Sequence, residues 1–163
     1  MALPDKVLRA NAEHAARFGG AALPRPPSRR LAVLTCLDAR IDPLALLGLE
    51  PGEANVLRNA GARATEDVVR SLVVAQRLLG VEDVLVIGHT DCGLEGLSNE
   101  DVRVRVREAG GPDTGALDFD PFPEPEAGVR ETVRRLEEEP LLRGLRTAGA
   151  LYDVSSGRLR EVR

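Results

Sequence analysis

LAVLTCLDAR at residues 31–40 and DVLVIGHTDCG at residues 83–93 share one construction, an apolar run of strand length that breaks into a short polar loop carrying a cysteine. Continuous rather than alternating apolar runs mark strands buried on both faces, as in parallel sheets. The two loops contain both cysteines of the chain, Cys36 and Cys92, together with His89. In open parallel sheets ligands bind beyond the carboxyl ends of the strands, which is where both loops fall. Two thiols and an imidazole gathered there form a Cys₂His set, the pattern of a zinc site that keeps one position open.

The chain on either side of these runs reads as alternating strands and helices. Asp42-Pro43 supplies an N-cap followed by proline at the first helical position, which opens a short helix through Leu49. The turn Glu50-Pro51-Gly52 leads to a strand from Ala54 to Leu57 that ends in RNAGAR. Thr65-Glu66-Asp67 caps a long helix through Leu79 with acids in its first turn, and Gly80 stops it. A third strand, Asp83 to Ile87, delivers GHTDCG. This order calls for a parallel α/β sheet with right-handed crossovers.

Upstream, apolar residues recur at helical spacing from Leu3 to Phe18, with Gly19-Gly20 as a left-handed stop and a proline-rich connector from Leu23 to Ser28. Downstream, Ser98 and Asp101 have the spacing of a capping box, whereas VRVRVR at Val102 to Arg107 alternates like a strand. The helix, with Val102, Val106 and Ala109 on one face, is the preferred reading. A loop from Gly110 to Pro125, a helix from Glu126 to Glu138 stopped by Pro140, and a hairpin from Ala148 to Val162 turning at Ser155-Ser156-Gly157 complete the chain. The expected fold is α/β: a mostly parallel central β-sheet flanked by helices, with a leading helical arm (residues 1–22) and a C-terminal hairpin, all in a single domain of residues 1–163.

A chain of 163 residues with 43% apolar residues can build one sizeable core. Phe18, Phe119, Phe122 and Tyr152 are its only aromatic residues and the net charge is −4, so neither base-stacking platforms nor a basic groove speak for nucleic acid. No apolar run approaches the ~20 residues of a membrane span, and the first residues lack the order of a secretory signal. The expectation is a cytoplasmic protein with no nucleic-acid or membrane partner. In a reducing compartment the two cysteines are free, catalytic or metal-bound, with a lone disulfide as the alternative.

On an extended segment Cys36, Asp38 and Arg40 share one face. Arg40 can hold Asp38 in a bidentate pair. The carboxylate then either orients a water on the metal or, once released, becomes a fourth ligand itself. His89 and Cys92, three apart across a tight loop, can close on the same ion, and thiolate with imidazole selects zinc over calcium or magnesium. Taken singly, a cysteine at the end of a strand is ordinarily a small buried hydrophobe and a lone histidine a structural one. Their joint arrival at two strand exits of one sheet is what favours a metal. Rival motifs fail on spacing: Leu94-Glu95 follows Gly93 where a P-loop needs Lys-Ser/Thr, Ser98 stands where a cysteine-phosphatase loop needs arginine, and no GxGxxG turn occurs. His14, on the leading helix, has no assigned role.

CLDAR at Cys36 to Arg40, RNAGA at Arg58 to Ala62 and GHTDCG at Gly88 to Gly93, in this order, resemble the signature of the beta-class carbonic anhydrases, most closely the short bacterial forms. The resemblance covers nearly the whole chain. It implies zinc bound by Cys36, His89 and Cys92, with Asp38 as a conditional ligand at low pH. It also implies a gating dyad of Asp38 and Arg40 that orients a zinc-bound hydroxide, and reversible hydration of carbon dioxide to bicarbonate. Asn59, Ala60, Gly61 and Gly93 would lie along the substrate. Assembly would be a homodimer or a dimer of dimers, with the leading helix reaching across the partner. Two alternatives keep the zinc set: hydrolysis of carbon disulfide or carbonyl sulfide, and a non-catalytic zinc or bicarbonate-sensing module. Longer relatives often carry a tryptophan-containing accessory bicarbonate site, whereas this chain has no tryptophan.

Overall fold

The computed structural model describes residues 3–19 and 23–163. Helix α1 (Asp5–Ala16) precedes β1 (Leu31–Cys36), a short α2 (Pro43–Leu47), β2 (Ala54–Asn59) and α3 (Glu66–Leu79). Then come β3 (Asp83–His89), α4 (Asn99–Glu108), α5 (Pro125–Glu138), β4 (Arg146–Asp153) and β5 (Arg158–Val162). The five strands form one sheet in the order β2-β1-β3-β4-β5. β1 runs parallel to β2 and β3, and β3 parallel to β4, while β5 returns antiparallel along β4. The mostly parallel sheet, the leading helix and the closing hairpin are those expected.

Helix boundaries follow local chemistry. Asp42 caps α2 through the backbone N–H groups of Leu44 and Ala45, and Gly48, left-handed at φ 64°, ends it two residues earlier than expected. Thr65 caps α3 through the N–H of Val68, and Gly80 (φ 71°) ends it. For α4 the capping box of Ser98 and Asp101 closes in both directions, so the helical reading of VRVRVR holds over its strand-like alternation. Val102 and Val106 are half-buried on its inner side, but Ala109 is the exposed C-cap rather than part of that face. α1 closes at Arg17 (φ −111°), ahead of the expected glycine stop. Gly20 lies outside the described residues.

One core fills the space between the sheet and α3 with α5. Val68, Leu72 and Ala75 from α3 and Val129 and Leu136 from α5 meet Ala32, Leu34, Val84, Val86 and Leu151 of the strands. Full burial of one such aliphatic side chain contributes roughly 1.5–3 kcal/mol. α5 lies close because glycine stands beneath it. A Cβ at Gly88 would sit 2.5 Å from Val129 Cγ2, and one at Gly149 would sit 2.7 Å from Val129 Cγ1. The first glycine of GHTDCG is therefore a packing residue that lets the helix press on the strand end.

Gly88→Ala should lower the stability of the fold by about 1–3 kcal/mol through this overlap with a β-branched neighbour. Urea denaturation of the variant against the parent checks it; an unchanged midpoint would mean that Val129 can move aside.

Candidate metal centre

Strand connections leave β1 towards β2 on one side and leave β3 towards β4 on the other, so the topological switch point lies between β1 and β3. Cys36 is the last residue of β1 and His89 the last of β3. Register carries Thr35 opposite Ile87 and Cys36 opposite Asn59. The sheet thus brings a thiol, an imidazole and the start of RNAGA to one rim. Cys92 is brought back by a bend in which Asp91 takes the left-handed conformation (φ 57°), and the turn that follows it closes with the N–H of Glu95 donating to the carbonyl of Cys92 at 3.0 Å. Sγ of Cys36, Sγ of Cys92 and a ring nitrogen of His89 all lie within 4.8 Å of one another, and all three residues are buried. Neither cysteine is in a disulfide.

The donor chemistry fits a divalent, thiophilic cation. Nδ1 of His89 is 2.9 Å from the carbonyl of Thr90, which makes it the protonated nitrogen and turns the lone pair of Nε2 towards the thiols. That Nε2 is buried without a hydrogen-bond partner. A buried orphan acceptor beside two thiols is what a metal ligand looks like before the metal is counted. The Cys92 contact holds the Cys36 thiol far below the ordinary thiol range, at about 4, against the opposing effect of burial, with help from His89 and the Gly61 N–H. The same contact with Cys36, reinforced by burial, pushes Cys92 up. The pair thus releases one proton easily and the second reluctantly. A dication removes that reluctance by neutralising both thiolates.

Beside the cluster, Arg40 grips Asp38 with both edges matched: Nε to Oδ1 at 2.9 Å and a terminal nitrogen to Oδ2 at 2.8 Å. The backbone N–H of Arg40 donates to Oδ1 as well, at 2.9 Å. These bonds hold the Asp38 carboxyl well below the usual carboxylate range. Asp38 Oδ2 lies 4.0 Å from His89 Nε2, so the carboxylate stands next to the ligand cluster while paired with the guanidinium.

RNAGA forms the floor of this rim. Gly61 (φ 74°) donates its N–H to Cys36 Sγ at 3.4 Å, and a Cβ there would meet Phe122 and Leu94 at 3.0 and 3.1 Å. Asn59 spends both ends of its amide on the backbone of Arg63, at 2.8 Å each way, which closes the turn. Ala60 and Gly93 are exposed at the rim. His14 is exposed on α1, its ring tilted against Phe18.

Three arginine functions escape sequence reading. Arg58 donates to the carbonyls of Cys36 and Asp38 at 3.0 and 2.6 Å, which fixes the backbone of CLDAR from β2. Arg40 also reaches Asp91. Arg63, 1% exposed, donates to the carbonyl of Gly128 and pairs with Asp120 and Glu131, which Arg135 shares. Asp120 is one of four non-glycine residues with positive φ among those described. This charge network locks the end of RNAGA to α5. An arginine in a motif signals only a charge; these partners of Arg58, Arg40 and Arg63 lie 20 or more residues away and nothing in the spacing names them.

The carbonic anhydrase family pattern matches residues 31–106, the span that holds every one of these site residues from Cys36 to Gly93. Beta-carbonic anhydrase 1 of Mycobacterium tuberculosis is 37% identical over 99% of this chain and 99% of its own. The crystal structure of a carbonic anhydrase from Streptococcus mutans superposes with a TM-score of 0.93 at 39% identity, covering 100% of both chains. A carbon disulfide hydrolase of an Acidianus strain is 40% identical, but over 47% of this chain and 38% of its own. The chain belongs to the beta-carbonic anhydrase family.

Cys92→Ser should reduce bound zinc from about one per chain to a small fraction of that, because a serine hydroxyl cannot replace a thiolate in a neutral site. Elemental analysis of the dialysed variant reads this directly, and full retention would remove Cys92 from the ligand set.

Proposed function

We propose that this chain is a zinc-dependent carbonic anhydrase that interconverts carbon dioxide and water with bicarbonate and a proton, in a single catalytic domain. The observation that carries the reading is the buried Cys36, His89 and Cys92 cluster, whose inward His89 Nε2 lacks any other partner, inside a chain of this family. Cys36, His89 and Cys92 would hold the zinc. Zinc in such a site acts as a Lewis acid that makes water a nucleophile near neutral pH.

The protein's own groups supply the rest. Asp38 accepts a hydrogen bond from the attacking oxygen and aims its lone pair at the carbon of the substrate. Arg40 keeps that carboxylate ionised and held beside the cluster, outside its three donors. Ile41, Phe122, Leu46, Leu94 and Tyr152 pack around the two cysteines, an apolar setting suited to a small neutral substrate and a poor one for the charged product. The rim of Asn59, Ala60, Gly61 and Gly93 is the proposed substrate edge, Asn59 and Gly61 acting by shaping it. The proton released on hydration leaves to solvent or buffer. If Arg40 let go, Asp38 stands close enough to become the fourth ligand, which is the proposed inactive arrangement at low pH.

Asp38 held by Arg40, rather than within the cluster, favours the catalytic reading over a non-catalytic zinc module. Carbon disulfide hydrolases share the fold and part of the sequence, so parallel assays with carbon dioxide and carbon disulfide decide the substrate. Turnover of carbon disulfide alone would overturn the proposal.

For assembly we favour a homodimer or dimer of dimers. α1 buries no residue, and Leu3, Val7, Leu8 and Phe18 are exposed. A helix of 12 residues without packing is marginal in water, so a second copy is its natural support. β2 is a sheet edge with Val56 exposed, which offers a second surface. No helix among the described residues is long and apolar enough to cross a membrane. Two unpaired cysteines suit the cytoplasmic location we propose.

Two outcomes are expected. Arg40→Ala should retain its zinc while kcat/KM falls about 10- to 100-fold, the value of a charge-assisted hydrogen bond. Stopped-flow hydration assays with metal analysis check both halves, and wild-type activity would dismiss the dyad. Deleting residues 1–22 should convert the assembly to smaller species in sedimentation velocity at micromolar concentration; an unchanged sedimentation coefficient would contradict a bridging arm.

A further inference from the structure

Arg40 is held on two sides. Its Nε and one terminal nitrogen face Asp38, while the other terminal nitrogen donates to Asp91 Oδ2 at 2.7 Å. The nitrogen shared with Asp38 also donates to the backbone carbonyl of Asp91 at 3.0 Å. Asp91 lies between His89 and Cys92 on the loop that carries two of the three cluster residues. The guanidinium therefore ties the exit of β1 to the exit of β3.

We propose that Asp91 is a positioning residue for the hydration reaction: its carboxylate anchors Arg40 from the rear so that Asp38 stays paired and out of the metal's open position. This rests on the proposed reading of Asp38 and Arg40 as the gate. Arg40 is long and 45% exposed at its side chain, and a lone pairing with Asp38 would let both groups swing together towards the cluster, 4.0 Å from Asp38 at His89 Nε2. A second carboxylate from the opposite strand exit fixes the guanidinium, and through it the direction in which Asp38 faces. An exposed pair is individually weak, so the effect on turnover is modest and specific to the gate.

Asp91 also has a conformational part, since at φ 57° aspartate, asparagine and glycine are the residues best suited to the turn. Asp91→Gly keeps that backbone and deletes the carboxylate, and Asp91→Asn keeps it with a neutral acceptor. We expect Asp91→Gly to retain zinc and lower kcat/KM about three- to fivefold, as for an exposed ion pair, with Asp91→Asn in between.

In the Arg40→Ala background Asp91→Gly should have no further effect, because the anchor has nothing left to hold. In cobalt-substituted protein both single variants should shift the visible absorption in the same direction, as a carboxylate enters the coordination sphere. Wild-type kinetics and cobalt spectrum in Asp91→Gly, with Arg40→Ala impaired, would overturn the anchor and leave the gate standing. A further loss in the double variant would overturn it too, by showing that Asp91 acts elsewhere. An Arg40→Ala protein unchanged in both readouts would instead sink the gate itself.

Discussion

Parallel pairing of β1 with β3 is the constraint on which the remaining structure depends. It sets two strand ends side by side at the place where the strand connections reverse direction, so that Cys36 and His89 need no further search to meet. Everything nearby either protects that pairing or uses it. Gly88 and Gly149 let α5 press onto β3 and β4 through Val129. The tie from the Thr90 N–H to the Tyr152 carbonyl, at 3.0 Å, keeps the loop after β3 beside β4. Cys92 then has only a three-residue turn to make.

Electrostatics at the rim is organised by three arginines with separate tasks. Arg58 holds carbonyls, and so fixes backbone; Arg40 holds carboxylates, and so fixes a side chain; Arg63 is buried and ties the RNAGA turn to the helix behind it. A buried guanidinium is tolerable only when nearly all its donors are matched, and Arg63 meets a carbonyl, a hydroxyl and two carboxylates. The result is a stiff frame around two thiols that bear unlike affinities for the proton. A frame of this kind suits a metal that must be held in fixed geometry with one position left for chemistry.

Much of this was legible in the chain. Apolar runs ending in cysteine or histidine, proline at a helix start, and glycine at a helix stop are local signals, and β1, β3, α3 and the closing hairpin follow from them. Limits appear where local signals compete or end. Arg58 and Asn59 extend β2 past Leu57 because they pair with Thr35 and Cys36, which no periodicity in polar residues could announce. The alternation of VRVRVR is overruled by the Ser98 capping box because α4 lies on the surface, where a buried face is not required. The clustering of Cys36, His89 and Cys92 was legible because cysteine and histidine are scarce and their positions few. The partners of Arg40, Arg58 and Arg63 were not, since charge pairing across the fold leaves no trace in spacing. Asn59 illustrates the difference: its motif placed it at the site, but only the structure shows its amide occupied by the turn.

The most direct test of the central claim, that Cys36, His89 and Cys92 together hold one catalytic zinc, is X-ray absorption at the zinc edge on the protein as purified. Two sulfur donors at about 2.3 Å, one imidazole nitrogen at about 2.0 Å and a fourth light atom are expected. A first shell of oxygen and nitrogen alone, or of four sulfurs, would contradict it.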